Sequence, residues 1–237
     1  MQRPTQIFLV CSPHARVGKS MTARLLGDYC LSRGHDAVVF DTNPHEPVLP
    51  RFFGERCVVA DLGTARGQMS LIDRILVADG IPKIIDLWHV SYRPFFDLTE
   101  ELEFFAEAQR AAVAPIFLLH SDETSGVIEA CMQVAKQFPK RGVVAVHNEG
   151  AVSLGQEASD LFALLPAHRR LLVPRHDPVL KRIVRQPGIS LAATLREPPP
   201  EFSIVEKFSL RPWLERVFKQ FQQLEFRLAL DGAEFLG

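Results

Sequence analysis

Short apolar runs recur along this chain, each followed by a stretch with helical apolar spacing, and that alternation limits its fold more than any other feature. The runs are Gln6 to Ser12, Ala37 to Thr42, Cys57 to Leu62, Lys83 to His89, Pro115 to His120, Gly142 to His147 and Arg170 to Val173. Between them, Lys19 to Arg33, Gly67 to Ala78, Leu98 to Ala112, Ser125 to Gln137 and Ala158 to Leu165 read as helices. Strands that are apolar throughout are those buried on both faces, and crossover helices supply the cover. The chain therefore predicts an α/β fold, a doubly wound, mostly parallel seven-stranded sheet flanked by helices in three layers. Its 237 residues suit one such domain with a short extension.

Composition narrows the function classes. With 47% hydrophobic and 23% charged residues, the balance is that of an ordinary globular protein. A net charge of -1 gives no global attraction to nucleic acid, so any polyanion contact has to be local. The run Ile7 to Cys11 is too short for a membrane span or a secretory core, and the expected location is the cytoplasm. Cys11, Cys30, Cys57 and Cys131 lie far apart in apolar surroundings and read as reduced core residues. The eight histidines lack metal-ligand spacing.

After Leu191 the alternation stops. Glu197-Pro-Pro-Pro-Glu201 is a stiff extended linker, because proline fixes φ and has no amide to donate. Residues 1–195 are taken as the main domain and 196–237 as the linker and a terminal helix. In that helix Leu210, Trp213, Leu214, Val217, Phe218, Phe221, Leu224 and Leu228 make a broad apolar stripe, to be covered by the chain's own domain or by a partner.

The segment Gln6-Ile-Phe-Leu-Val-Cys-Ser-Pro-His-Ala-Arg-Val-Gly-Lys-Ser20 carries the most chemistry: an apolar strand, a tight loop, Gly-Lys-Ser, and then a helix. Amides at a helix start point toward an anion and the helix dipole favours it. Lys19 reaches terminal phosphates, the Ser20 hydroxyl ligates magnesium, and Gly18 permits close approach of the backbone. Pro13, His14, Ala15, Arg16, Val17, Gly18, Lys19, Ser20 and Met21 are the expected nucleotide contacts. Pro13 stands where a glycine opens the general phosphate-loop pattern, and it brings no amide.

On these residues the loop resembles that of the ParA/MinD group of deviant P-loop ATPases, in the SIMIBI class, whose pattern is Lys-Gly-Gly-x-Gly-Lys-[Ser/Thr]. Aligned on Gly18-Lys19-Ser20, the group's extra lysine falls on His14 and its two glycines on Ala15 and Arg16. The resemblance covers residues 5 to about 192 and implies a P-loop NTPase-like fold, ATP or ADP with Mg2+ as ligands, and a nucleotide-sandwich homodimer. Val38-Val-Phe-Asp-Thr-Asn-Pro-His-Glu46 resembles the group's Asp-x-Asp-Pro-Gln segment, matching at Asp41 and Pro44. Lys19 and Asp41 are thus the expected catalytic residues, with Asp41 also holding metal-bound water. Arg56-Cys-Val-Val-Ala-Asp-Leu-Gly63 resembles the Walker B strand, which implies that Asp61 faces the metal through water beside the loop. Asn148, ending the sixth run, falls where related proteins read adenine, and suits a turn equally well.

Arg169, Arg170, Arg175, Lys181, Arg182 and Arg185, with His168, form a local basic excess. They read either as a solvated face or as a non-specific DNA surface. Three functions remain open on the sequence. The first is an ATP-hydrolysing switch that partitions or positions a protein cargo. The second is a degenerate pseudo-ATPase scaffold. The third is a small-molecule ATP-dependent enzyme resembling dethiobiotin synthetase, whose loop also ends Val-Gly-Lys.

Overall fold

The computed structural model describes residues 4–120, 122, 125–137, 142–151 and 169–233. The helix expected at 158–165, and His168 of the basic group, lie outside the described residues.

Seven strands form one sheet: β1 (Thr5–Cys11), β2 (Val38–Asp41), β3 (Cys57–Val59), β4 (Lys83–Asp86), β5 (Val113–His120), β6 (Val143–Asn148) and β7 (Arg170–Val173). Their order is β3-β2-β4-β1-β5-β6-β7, and every pairing is parallel. The fold is therefore a doubly wound, all-parallel α/β sheet flanked by helices in three layers. The chain steps from β1 out to β2 and β3, returns to β4 beside β1, and then builds outward on the other side. Order reverses on either side of β1, so the crevice for a ligand opens at the carboxyl ends of β1 and its neighbours.

The period of two along each strand splits the core into two layers. Phe8 and Val10 face α1 (Lys19–Ser32), while Ile7, Leu9 and Cys11 face α3 (Ala65–Ile75), α4 (Tyr92–Glu101), α5 (Phe104–Arg110) and α6 (Ser125–Gln137). A short α2 (Pro50–Phe53) precedes β3. On the α1 side the last elements complete the layer: α7 (Lys181–Arg185), α8 (Leu191–Arg196) and α9 (Ile204–Ala233). Leu210, Trp213, Leu214, Val217, Phe221 and Leu224 of α9 are all buried in the same cluster as Leu25 and Leu26 of α1.

Polar contacts pin these late elements down. Buried Arg24 donates to the carbonyls of Val184 and Ile189 and lies 3.7 Å above the Phe52 ring. Asp28 accepts from the Ser190 hydroxyl and the Ala192 amide, each at 3.2 Å, and burial pushes its carboxyl up to about 6. Tyr29 Oη donates to Glu225 at 2.6 Å, and Trp213 Nε1 to Pro174 O at 2.8 Å.

Three elements differ from expectation. The helix expected at Leu98 to Ala112 is two helices, because Glu103 adopts φ 47 and no helix continues through a left-handed residue. The fourth strand stops at Asp86 rather than running on to His89, and His89 to Ser91 form a 3-10 turn. The third strand ends at Val59; it lies at the sheet edge, and Val59 is exposed.

Candidate functional site

The loop from Ser12 to Ser20 connects β1 to α1 at the point where strand order reverses. Gly18 precedes α1 with φ 91 and ψ 15, and a Cβ there would lie 2.3 Å from Asn148 Nδ2. Both the conformation and the space demand glycine at this position. Arg16, aligned with one of the glycines of the similar loops, takes φ 63 as a non-glycine residue. His14, Ala15 and Arg16 form the exposed lip, Pro13 is half-buried, and Val17 is buried beneath. Met21 packs on the α1-side core.

Lys19 is 7% exposed, and its Nζ donates back to the carbonyl of His14 across the loop. Burial lowers its pKa, opposed by Asp86. Asp86 closes β4, the strand beside β1, and is 5% exposed. Burial pushes the Asp86 carboxyl up to about 7, with the neighbouring Asp41 adding to the shift; the Ser20 hydroxyl and Lys19 act the other way. One lysine, one serine hydroxyl and one buried carboxylate thus converge at the carboxyl ends of adjacent strands.

Asp41 is the register partner of Asp86 on β2. Its carboxylate accepts from the amides of Asn43 at 3.1 Å, Val48 at 2.7 Å and Leu49 at 3.0 Å, so it also shapes the turn from 43 to 49. Thr42 fastens that turn to the next one, donating from its hydroxyl to Asp86 O at 3.1 Å and accepting from Trp88 N at 2.8 Å. The Trp88 ring lies edge-on to His45 and to His89, with centroids 5.6 Å apart in each case.

Asp61 is not at the strand beside the loop. It follows the edge strand β3, which β2 and β4 separate from β1, so at about 4.8 Å per strand the two lie roughly 14 Å apart. Its Oδ1 accepts from Gly63 N at 2.9 Å, and its carbonyl accepts from the Thr64 hydroxyl at 3.1 Å, just ahead of α3. The acidic residue beside the loop is Asp86, which sequence reasoning missed although Lys83-Ile-Ile-Asp86 is an apolar pair ending on a carboxylate.

Two further residues meet the loop from β5. His120, its last residue, has Nδ1 at 3.0 Å from Val17 O, and His14 Nδ1 lies 2.8 Å from Asp122 Oδ2. Asn148, ending β6, accepts from Gly150 N at 3.0 Å and brings Nδ2 to 3.5 Å from Gly18 O. Its amide faces the back of the loop.

The basic residues do not share one surface. Arg169 and Arg170 stand at the amino end of β7, whereas Arg175 follows its carboxyl end and donates to Glu149 O at 2.8 Å. Lys181, Arg182 and Arg185 line one shallow depression of 740 Å³ with Pro178 and Val179, and Arg182 also pairs with Glu206 at 2.7 Å.

No family model matches the chain, and no curated protein matches it. Among solved structures it is similar to a nucleotide-binding protein from Archaeoglobus fulgidus in complex with ADP, in which cobalt was found by PIXE. The two are 16% identical with a TM-score of 0.50, over 76% of this chain and 85% of that one. The likeness is one of fold. Among the described residues no helix is long and apolar enough to cross a membrane, and no group of three His, Cys, Asp or Glu side chains is placed to hold a metal ion.

Proposed function

We propose that the chain binds ATP and ADP with Mg2+ at the β1–α1 loop and works as a nucleotide-dependent switch of the ParA/MinD type. The observation that carries this reading is the convergence of Lys19, Ser20 and Asp86 at the carboxyl ends of β1 and β4. The donor set fits magnesium: Asp86 and Asp41 bring two buried carboxyl groups together at the ends of adjacent strands, where burial and then the neighbouring Asp41 raise the Asp86 carboxyl, and a bound cation would relieve both. Magnesium keeps several waters and takes few protein ligands in phosphate sites, which accords with one hydroxyl and one nearby carboxylate. Ser20 would hold it directly, with Asp86 and Asp41 acting on its waters. The ion would supply charge neutralisation at the phosphates.

The chain's own residues do the rest. Lys19 exchanges the His14 carbonyl for phosphate oxygens, and the amides opening α1 face the anion. Thr42 ties the turn after β2 to the turn after β4, so both move together when the phosphates change. Asn148 contributes on the base side, and the fold likeness to an ADP-bound nucleotide-binding protein adds support. In this reading the protein dimerises on ATP and engages a protein cargo, with Lys181 and Arg185 available to DNA phosphates.

A second reading, a scaffold without turnover, is favoured by one observation. His14, the counterpart of the lysine that reaches across the dimer in the similar ATPases, is paired with Asp122 of its own chain. Light scattering of the full chain with ATP, ADP and no nucleotide, alongside phosphate release, separates the two. A doubling of mass with ATP alone and slow turnover supports the switch; a mass indifferent to ATP, with nucleotide bound, leaves the scaffold.

A further inference from the structure

The phosphate loop is short of the residue that lets such loops turn their amides toward an anion. From Pro13 to Gly18 only Gly18 is glycine, and Arg16 holds a left-handed φ of 63 without being one. The peptide between Val17 and Gly18 is fixed instead from outside the loop. Its carbonyl is taken by His120 Nδ1 at 3.0 Å, from the last residue of β5 directly beneath. The bond is trans, so the Gly18 N–H points opposite to that carbonyl, away from His120.

His120 is wholly buried, and its second nitrogen, Nε2, has no hydrogen-bond partner among the described residues. Burial pushes the ring down to about 3, so it is neutral at ordinary pH, and facing a carbonyl it carries its one proton on Nδ1. An acceptor buried without a donor costs folding free energy that a leucine in the same place would avoid. A leucine would also leave the Val17 carbonyl without its donor, so the two effects on stability oppose each other, and the distinct property of the imidazole is the donor at Nδ1.

We propose that His120 is a positioning residue of the phosphate loop, which aims the Gly18 amide at a bound phosphate by holding the Val17 carbonyl outward. It rests on the reading of this loop as a phosphate site. It assigns the anion-binding geometry, supplied by glycines in the similar loops, to a side chain of the neighbouring strand.

The test is calorimetric titration of the full chain and its H120L, H120N and H120Q variants with Mg-ADP and, separately, inorganic pyrophosphate, with urea midpoints for each. H120L is expected to weaken both ligands equally, by about tenfold or more, while the midpoint shifts little, because losing the bond to the Val17 carbonyl and losing the unpaired Nε2 act in opposite directions. H120N, whose amide nitrogen falls at the Nδ1 position, is expected to restore binding to within about threefold of wild type, and the longer H120Q to fall between. Wild-type affinity in H120L, or a loss for ADP that pyrophosphate does not share, overturns the proposal. Should H120L not fold, equal affinities in H120N and H120Q overturn it instead. A wild-type chain that binds neither ligand removes the phosphate-site reading itself, a result distinct from binding that His120 does not influence.

Discussion

Asp61 and Asp86 pose the sharpest question at the scale of single residues, since each follows an apolar pair and each could end a metal-facing strand on sequence grounds. Sheet order decides between them, and it places only Asp86 beside the loop. D86N is expected to remove the magnesium dependence of nucleotide binding, while D61N changes affinity by less than about threefold. The same substitution tests the electrostatics. The Asp86 carboxyl is raised to about 7 in the folded protein, so its contribution to stability is full below the unfolded value and is lost as pH rises toward 7. Asparagine escapes that loss, and D86N should gain on the order of 2–4 kcal/mol over wild type in urea unfolding at pH 8, and much less at pH 4.5. An equal effect at both pH values would contradict the shift. Arg16 belongs to this scale as well: with φ 63 it pays for a conformation that glycine takes freely, and R16G should raise stability by about 1 kcal/mol in the same assay. The Gly-Lys-Ser signature was legible because it is contiguous. His120, Asp122 and Asp86 were not, because nothing in their local sequence says that the loop will lie against them.

At the scale of elements, all seven strands were readable from their apolar runs, since a doubly covered parallel sheet writes its strands as uninterrupted hydrophobic segments. The ends were less readable. The apolar spacing of Leu98 to Ala112 runs through a backbone break that only the φ of Glu103 reveals, and Leu87-Trp88 after Asp86 is as apolar as a strand while turning away from the sheet. The long α9 is the element whose role the sequence left open between its own domain and a partner. Its stripe lies on β7 and α1, with Leu214 fully buried. L214A is expected to lower the unfolding free energy by about 3 kcal/mol and to keep a single transition by circular dichroism, because α9 shares one cluster with the sheet. A separate, earlier transition for α9 would show that it melts by itself. Trp213 connects this helix to the turn after β7 through Pro174, so that turn is braced by α9.

The whole molecule places its chemistry where the sheet reverses direction. β1 lies between β4 and β5, and these three strands with β6 bring Lys19, Asp86, His120 and Asn148 to one rim. Strand order is a property of pairings distant in sequence, which explains why the fold class could be read from the chain while the acidic partner of the loop was misplaced by two strands. The central claim is that this rim binds an adenine nucleotide through Lys19. Calorimetric titration of the full chain with Mg-ATP and Mg-ADP, alongside K19A, tests it most directly. Saturable micromolar binding that K19A weakens by at least about a hundredfold, the scale expected for loss of a buried cation on phosphate, is the predicted result. No heat of binding at millimolar nucleotide, or equal affinity in K19A, would contradict it.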